Sequence, residues 1–483
     1  MNDDTREKVR ENAKYLREVR PIDPDEISEY VDGQPHPGVV RQILREEAPS
    51  LGLVEREDGA FEPVAEGPIS PAFRGVEAFP VEYGRLLEDL LVERWGPDWH
   101  EGESGDRLRE TVRRLKEDYF RNNPVEYDET AALGYAVYHL PDNYAVAQYV
   151  LHELAESGLV DHRLRVLDVG AGVGGPALGI ADYLPDGASE RGSEGGETES
   201  RPALVEYDAV EPSAAADVFE RMTSGVGRNF HVEVHRETAE EFDPGGEYDL
   251  VLFANVLNEL GDPAAVVRRY LDCLADDGSV LAIEPADRET SIGLREVERE
   301  IADEAGAATV FAPTLRLWPG ERPTDRGWSF DVKPDLEVPA FQRKLHEAAG
   351  ATGEFVNVDV QFSYSILRPD GRRKADLTLD AGKVAKMAEM ERHVTERIDL
   401  VAVKLSHSLA EGDRNPLFKV GDGSESVDHF AVLTNETSLN ADLREADYGD
   451  LLSFEQVLVL WNDDEEAYNL VVDEETIVDA MPV

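Results

Sequence analysis

A glycine-rich turn that follows a short apolar run suits the binding of a charged ligand. The run is Arg165-Val-Leu-Asp-Val-Gly-Ala-Gly-Val-Gly-Gly-Pro, whose first half has the residue types of a strand, and a helix is predicted from about Pro176. Glycines let backbone N–H groups approach a ligand, and a helix N-terminus adds partial positive charge. Because an acid lies inside the Asp-x-Gly-x-Gly-x-Gly spacing, the turn suits a ligand with an ammonium group. The residues expected to hold it are Asp168, Gly170, Gly172 and Gly174.

An acidic residue ends the next predicted strand. In Tyr207-Asp-Ala-Val-Glu-Pro-Ser, the carboxylate of Glu211 can bind both hydroxyls of a ribose. Asp168 and Glu211 are 43 positions apart, whereas about 20 positions separate the matching elements of dinucleotide-binding folds. The segment 185–202 consists mostly of Gly, Ser and Glu without apolar periodicity. It is therefore predicted to be a disordered surface loop that accounts for the extra length.

Polar residues also follow three later predicted strands. Glu237 comes after the third and is placed to meet an adenine amino group, Asn255, Asn258 and Glu259 come after the fourth, and Glu284 ends the fifth. Asn255 is assigned to ligand binding and, together with Glu259 and Glu284, to the candidate catalytic groups. A buried carboxyl group could act as a base. The alternative is that these acids only hydrogen-bond the ligand or cap a helix.

These motifs require an open α/β sheet to bring them together. Apolar strands alternate with helical stretches through about residue 285, which predicts a parallel, Rossmann-like sheet that binds its ligand at the carboxyl ends of the strands. With the motifs above, residues 140–285 resemble the class I S-adenosylmethionine-dependent methyltransferases. The resemblance implies S-adenosylmethionine as the cofactor. The alternative is a nucleotide-binding or inert Rossmann domain.

Five short motifs narrow the resemblance. They are Tyr138-His-Leu-Pro-Asp-Asn-Tyr, Glu211-Pro-Ser, Ala254-Asn-Val-Leu-Asn-Glu-Leu, Ile283-Glu-Pro and Phe362-Ser-Tyr-Ser-Ile-Leu-Arg. Together they resemble the methyltransferase-like proteins of small-ribosomal-subunit assembly, found in mitochondria and many prokaryotes, over about residues 125–405. This implies a methyltransferase that acts on small-subunit rRNA in ribosome assembly or translation. The alternatives are a non-catalytic RNA-binding assembly factor that binds the cofactor, and a methyltransferase for a small molecule or a protein.

Cysteine usage departs from that family. The family carries four cysteines that resemble an iron–sulfur ligand set, whereas here Thr314 and Ser329 stand where thiolates are expected. Cys273 is the only cysteine, so no iron–sulfur cluster is expected, and Trp318 and Trp328 are candidates to pack in that region. Cys273 itself is predicted to be a small core residue, which argues against the thiolate chemistry of pyrimidine C5 methylation.

Acidic residues are spread along the whole chain. Asp and Glu total 102 against 48 Lys and Arg, which gives a formal net charge of −54. Such an excess is typical of halophiles, because molar salt screens charges over about 3 Å, and an origin in a halophilic archaeon is therefore expected. An acidic mimic of a partner is the alternative. No apolar run reaches the ~18 residues of a membrane span, and the first residues lack an apolar signal core. A soluble, cytoplasmic protein without a membrane partner is therefore expected.

Further modules are predicted on both sides of the methyltransferase region. In the N-terminal part, helices from Pro24 and Val39 and a hairpin turning at Asp58-Gly59 follow the order of a winged helix, which is also that of simpler helical caps. Near the C-terminus, short strands separated by turns predict a small, OB-like β-barrel. The predicted domains are 1–125, 126–405 with an insertion at about 286–340, and 412–483.

Two smaller groups of residues are candidates for binding. Phe418, Phe430 and Trp461 in the predicted barrel could stack on RNA bases, or they could be core residues. His231 and His235 lie four apart on one strand, but no third ligand accompanies them, so they are interpreted as ordinary strand residues and no metal is expected. A basic tip on a predicted Pro-Asp-Gly turn is the best candidate for RNA phosphate contact, with a solvated hairpin as the alternative. Its residues are Arg368, Arg372, Arg373 and Lys374.

Overall fold

The chain divides into two compact units. The computed structural model describes residues 3–70, 72–121, 123, 125–185, 201–350 and 353–482. The first unit comprises the chain up to Asp243 together with Tyr248–Leu250 and Asp335–Asp359. The second comprises Pro244–Glu247, Val251–Pro334 and the chain from Val360 onward. Residues 186–200, which include most of the predicted disordered loop, lie outside the described residues.

The first unit begins with three helices and a hairpin. Asp23 caps the second helix with its side chain, and a proline occupies the first turn of both the second and the third helix, which favours helix initiation there. Ile22 forms an isolated antiparallel β-bridge with Phe61 of the hairpin, and both residues are fully buried. This is the element order of a winged helix. The elements are α1 (Asp3–Leu16), α2 (Pro24–Tyr30), α3 (Pro37–Leu51), β1 (Leu53–Glu55) and β2 (Phe61–Pro63).

Three longer helices lead to the sheet. The predicted amphipathic helix around Ala147 is the C-terminal half of a 28-residue helix that contains Pro141 and is buried along most of its length. Because this helix packs closely on the helix after the glycine turn, its polar residues lie near that turn. The three helices are α4 (Val81–Trp95), α5 (Gly102–Phe120) and α6 (Glu129–Glu156).

The first unit contains the amino-terminal half of an α/β sheet. The strands run in the order β5-β4-β3-β6, and β4 pairs in parallel with both β3 and β5. The register places Asp168 opposite Ala209, so the glycine turn and the loop after β4 emerge at the same sheet edge. The elements are β3 (Arg163–Val169), α7 (Gly175–Tyr183), β4 (Leu204–Val210), α8 (Ala215–Thr223), β5 (Phe230–His235) and β6 (Tyr248–Ala254).

The second unit continues from β6 in the order β6-β7-β10-β8. Strand β10 is antiparallel to both β7 and β8, and β9 pairs with its first residues. This strand order, with one antiparallel strand inserted near the end, is that of a class I methyltransferase sheet, which confirms the predicted fold class. The elements are α9 (Pro263–Leu271), β7 (Leu274–Pro285), α10 (Arg288–Arg299), β8 (Thr309–Ala312), β9 (Asp331–Lys333), α11 (Ala340–Ala349, in the first unit) and β10 (Val360–Arg368).

A closed five-stranded barrel completes the second unit, as predicted. Its strands run β11-β12-β13-β15-β14, β14 closes the ring on β11, and β13 is parallel to β15. This is the strand order of an OB-fold. The barrel begins at Arg397, inside the range predicted for the methyltransferase domain and before residue 412. The elements are β11 (Arg397–Lys404), β12 (Leu417–Gly421), β13 (His429–Leu433), α12 (Asp442–Glu445), β14 (Leu451–Asn462), β15 (Ala467–Val472) and β16 (Ile477–Ala480).

The segment between β8 and β9 packs on the barrel within the second unit. Trp318 Nε1 donates a hydrogen bond of 2.8 Å to Asp422, and the backbone N–H of Thr324 donates to the carbonyl of Glu425. The buried ammonium of Lys419 lies 2.7 Å from carboxylate oxygens of both Asp325 and Asp428. The barrel is therefore integrated with the methyltransferase insertion and is not a detached module.

In the described part of the chain, no helix combines the length and the apolar character needed to cross a membrane.

Candidate functional site

The glycine turn has the backbone geometry expected of a ligand cradle. Gly170, Gly172 and Gly174 have φ angles of 78°, 54° and 92°, a region that residues with a side chain rarely adopt. Gly175 begins α7, and a Cβ added to it would lie 2.7 Å from the Cβ of Asn143 on α6. The sequence therefore uses glycine here both for the turn itself and for the close approach of α6.

Asp168 lies fully buried at the start of this turn. The hydroxyl of Tyr207 donates a 2.7 Å hydrogen bond to Asp168 Oδ2, whereas Oδ1 is buried without a hydrogen-bond partner among the described residues. Burial raises the pKa of Asp168 to about 7, and the nearby Glu211 carboxylate acts in the same direction. A buried carboxylate with an unsatisfied oxygen is favourable only beside a donor or a cation. An ammonium group would supply both.

Glu211 is brought to the same place from the end of β4. Its Oε2 accepts a 3.0 Å hydrogen bond from the N–H of Gly172, and its Oε1 accepts one of 2.9 Å from the N–H of Ser213. Each carboxylate oxygen has a further lone pair for a ligand hydroxyl. The predicted ribose-binding acid and the glycine turn therefore form one arrangement.

Three further residues singled out from the sequence lie in β5 or just after it. Glu237 is exposed just after the strand, a position open to a ligand. His235 bonds to Asp208 at 2.8 Å, and the hydroxyl of Tyr248 also donates to Asp208. The pKa of His231 is lowered by burial. The two histidines therefore have separate structural surroundings.

The second unit places four predicted residues close to one another after β6 and β7. Asn255 has a φ of 56°, and its N–H donates to the carbonyl of Ile283. Such a φ is uncommon for a residue other than glycine and is tolerated by Asn. Glu284 is buried, and its Oε1 accepts a 2.8 Å hydrogen bond from the N–H of Leu257. Its Oε2 is without a partner among the described residues. Asn258 and Glu259 are exposed on the short turn that follows.

Glu284 is held in its protonated form at neutral pH. Burial raises its pKa to about 8, against smaller opposing effects of the N–H groups at Leu257 and Asn258. Because its folded-state pKa lies above the unfolded value of about 4.3, its stabilising contribution is complete below pH 4 and is lost as the pH rises toward 8. At neutral pH this residue is a hydrogen-bond donor rather than a base.

Glu284→Gln should therefore make the protein more stable than the wild type at pH 8, by about 2 kcal/mol or more, because glutamine resembles the neutral acid. The advantage should vanish near pH 4. Thermal unfolding across this pH range measures the effect, with Glu296→Gln, an exposed acid on α10, as the control. An equal pH dependence in wild type and Glu284→Gln would contradict the assignment.

The basic tip differs from its prediction because its first residue is buried. Arg368 is 1% exposed. It bonds to Ser279, to the carbonyl of Asp277 and to Asp370, so it cannot contact phosphate. Three more basic residues follow a turn at 369–370. Arg372 is exposed, Arg373 is half-buried and donates to a backbone carbonyl, and Lys374 is half-buried.

Hydroxyl groups occupy the positions where the family resemblance places thiolates. Thr314 Oγ1 donates to Glu298, and Ser329 Oγ shares a 2.6 Å hydrogen bond with Tyr448. Trp318, which follows Thr314 closely in the sequence, is buried, and Trp328 stacks on Phe330. These residues hold the insertion in place.

Cys273 is buried, as predicted for a core residue. Burial raises the pKa of its thiol to about 11. It is therefore a poor nucleophile.

The supporting residues of the site cannot be predicted from the sequence. Tyr207 has only the pattern of a residue at the start of a strand, and Asn143 is only part of a family motif. No local signal identifies either contact, since Tyr207 reaches Asp168 from a neighbouring strand. The close approach of Asn143 to Gly175 has one sign in the sequence, which is the second glycine of the Gly174–Gly175 pair.

Family models match three parts of the chain. Residues 138–337 match a family described as a methyltransferase domain. Residues 6–57 and 388–481 match the N-terminal and C-terminal domains of a family described as a domain of unknown function, DUF8157. These flanking matches correspond to the N-terminal helices with their hairpin and to the barrel. No curated protein shows significant similarity to the chain. The methyltransferase match agrees with S-adenosylmethionine as the predicted cofactor.

Several solved methyltransferase structures resemble the chain weakly. The N-methyltransferase NodS from Bradyrhizobium japonicum WM9, in complex with S-adenosyl-L-homocysteine, is 13% identical with a TM-score of 0.27 and covers 46% of this chain and 85% of its own. The plantazolicin methyltransferase BpumL is 11% identical with a TM-score of 0.31 and covers 55% of this chain and 98% of its own. Similarity at this level identifies neither the substrate nor the reaction.

Proposed function

We propose that this chain is an S-adenosylmethionine-dependent methyltransferase that acts on RNA of the small ribosomal subunit. The observation that carries the cofactor assignment is the unsatisfied, fully buried Oδ1 of Asp168 at the start of a glycine turn, with the Glu211 carboxylate fixed beside it by Gly172. A ligand with an ammonium group and a ribose can pair its ammonium with Asp168 and donate its ribose hydroxyls to Glu211.

The residues fit the parts of this cofactor. Asp168 would face its ammonium group, and the N–H groups of the turn at the start of α7 would face its carboxylate. Glu211 would accept from the ribose hydroxyls. When bound, the cofactor supplies a methyl group on a positively charged sulfur. The protein's part is to hold an acceptor in line with that methyl group and to take up the proton that the acceptor loses.

The proposed RNA substrate rests on the modules beside the methyltransferase region and on the family resemblance. A winged-helix order and an OB-type barrel are architectures that bind nucleic acids. Within the barrel, Phe418 is 3% exposed in the core, so it is not a stacking platform. Phe430 is half-buried, and Trp461 is 38% exposed with its indole N–H bonded to Asp463. The high salt of a halophile's cytoplasm would remove much of the repulsion between the acidic chain and RNA.

Trp461→Ala should weaken binding to small-subunit rRNA at least fivefold and leave cofactor affinity within twofold, because stacking on one base is worth about 1–3 kcal/mol. Filter binding in molar KCl measures the change. Leu460→Ala is a matched control, since Leu460 is equally exposed on the same strand but cannot stack. If the two substitutions weaken RNA binding equally, Trp461 is not part of the RNA-binding surface.

A non-catalytic, cofactor-binding RNA factor is the second candidate function. The protonated state of Glu284 favours it, because this acid is unavailable as a base at neutral pH. Two measurements distinguish the functions. Calorimetry first measures binding of S-adenosylmethionine. The second experiment then measures transfer of its tritiated methyl group to small-subunit particles from a deletion strain. Binding with transfer supports the methyltransferase, and binding with no transfer supports the second candidate. Transfer of the methyl group only to small molecules or to protein would contradict the assignment of RNA as the substrate.

A further inference from the structure

A group of polar residues follows one face of α6 within the first unit. Tyr135, His139, Asp142 and Asn143 recur at helical spacing, and all four are half-buried on a helix whose other positions are mostly buried and apolar. Neither the cofactor assignment nor the sheet accounts for them.

This face adjoins the elements that would hold the cofactor. Asn143 packs against Gly175 at the end of the glycine turn, and its Nδ2 donates to the hydroxyl of Tyr135 at 3.2 Å. The ring of Tyr127 lies 5.7 Å from that of Tyr135. The carbonyl of Tyr127 accepts from the N–H of Ala214, three residues after Glu211. The polar face is therefore linked both to the glycine turn and to the loop that carries the ribose-binding acid.

His139 is oriented on this face by a carboxylate. Its Nδ1 lies 3.1 Å from Asp142 Oδ2, and its ring packs on Tyr135 with centroids 4.9 Å apart. The amide nitrogen of Asn357 also lies 3.3 Å from Nδ1, but the carboxylate is nearer and can only accept a hydrogen bond, so we assign the proton to Nδ1 and the basic lone pair to Nε2. The side chain of His139 is 36% exposed, so Nε2 can be reached from outside the helix.

Asp142 is itself held in place. The amide Nδ2 of Asn357 donates to Asp142 Oδ2 at 2.9 Å and to the carbonyl of Tyr138 at 3.1 Å. The backbone N–H of Asn357 donates to Oε1 of the fully buried Gln342. Supporting hydrogen bonds of this kind fix the ring orientation of catalytic histidines.

We propose that His139 is the general base for the methyl acceptor, with Asp142 and Asn357 as positioning residues. This inference rests on the proposed methyltransferase function, and it narrows the acceptor to a hydroxyl or N–H group, which must lose a proton. The acceptor atom forms a bond to the methyl carbon, and the carbon–sulfur bond breaks with its electron pair moving to sulfur. The acceptor's proton moves to Nε2, and the resulting imidazolium is stabilised by Asp142.

The other titratable groups fit this role less well. Glu284 is protonated up to about pH 8, and the Cys273 thiol is buried with a raised pKa. His235 is bonded to Asp208. His139 alone among these combines an orienting carboxylate, an accessible nitrogen and links to the cofactor-binding elements.

The test compares His139→Gln and Asp142→Asn with His152→Gln, a control on the same helix whose ring bonds to Tyr183. His139→Gln should slow single-turnover methylation of small-subunit RNA about 100-fold or more, Asp142→Asn about tenfold, and His152→Gln less than twofold. All three should bind S-adenosylmethionine within twofold of the wild type. The methylation rate of the wild type should rise with pH, and the rate of His139→Gln should not show this rise.

A second measurement does not depend on activity. Nitrogen-15 chemical shifts of labelled histidine should show His139 protonated at Nδ1 in the wild type, and Asp142→Asn should remove this preference. Unchanged methylation by His139→Gln, or loss of its cofactor binding, would overturn the inference while leaving the proposed function standing. A wild-type protein that binds the cofactor but transfers no methyl group would overturn the function itself, and the inference with it.

Discussion

Lys419→Met should lower the free energy of unfolding of the second unit by about 3–5 kcal/mol. The side chain of Lys419 is 4% exposed, and its ammonium lies 2.7 Å from both Asp325 and Asp428, whose side chains are 2% and 8% exposed. Methionine fills much of the same volume but leaves two buried carboxylates without their shared cation. The loss of one partner from a buried ion group is costly because the remaining charge has no solvation.

The surroundings of Lys419 would compensate for its loss only in part. Arg299 also contacts Asp325, so one counter-charge would remain there, but Arg326 is the other cation near Asp428 and is largely exposed. Glu425, buried beside the group, has its pKa raised to about 8 by burial and by the charges of Asp325 and Asp422. It is therefore neutral at pH 7 and adds no repulsion.

Urea unfolding in molar KCl measures the prediction. Lys383→Met is the control, since Lys383 is exposed and surface substitutions change stability by less than about 0.5 kcal/mol. The double variant Lys419→Met with Asp428→Asn should recover part of the loss, because it removes one of the unpaired charges. If Lys419→Met and Lys383→Met unfold alike, the ion group does not hold the barrel to the insertion.

The contacts between the insertion and the barrel also predict the effect of a truncation. Removing the chain after Glu411 would leave β11 without β12 and would expose Asp325 and Trp318. We therefore expect the truncated protein to lose the second unit, whereas a detached barrel could be removed without harm.

Asp168→Ala and Gly170→Val should each reduce S-adenosylmethionine affinity at least 100-fold, the second largest effect that we expect. The alanine variant removes the only carboxylate oxygen at the turn that is buried and unsatisfied among the described residues, and with it the charge that would pair with the ammonium group. The valine variant forces a β-branched residue to a φ of 78°, which displaces the N–H groups of the turn.

Stability separates a binding defect from a folding defect in this experiment. Burial raises the pKa of Asp168 to about 7, so keeping its charge without a neighbouring cation is unfavourable above that pH. Asp168→Asn should therefore be at least as stable as the wild type at pH 8 while its cofactor binding is lost. Asp161→Asn, an exposed residue just before the same strand, is the control for calorimetry. Undiminished binding by Asp168→Ala would overturn the site.

Features that depend on local chemistry can be predicted from the amino-acid sequence alone. Residues 165–174 predict a strand and a turn because β-branched residues favour the one and glycines with positive φ permit the other. The alternation of apolar and polar residues in the barrel strands and the helix starts around Pro24 and Pro37 are likewise set by neighbouring residues. Each could be predicted because neighbouring residues decide the backbone conformation.

Which charges are buried together depends on the tertiary fold. Arg368 looks like a surface residue beside a turn, but contacts with residues about 90 positions away bury it. Lys419 meets Asp325 across 94 positions, and His139 depends on Asn357 through Asp142. Nothing in the spacing of these residues indicates such pairs, because their environment is created when distant segments pack and exclude water. Burial then sets both the stability and the protonation of these side chains.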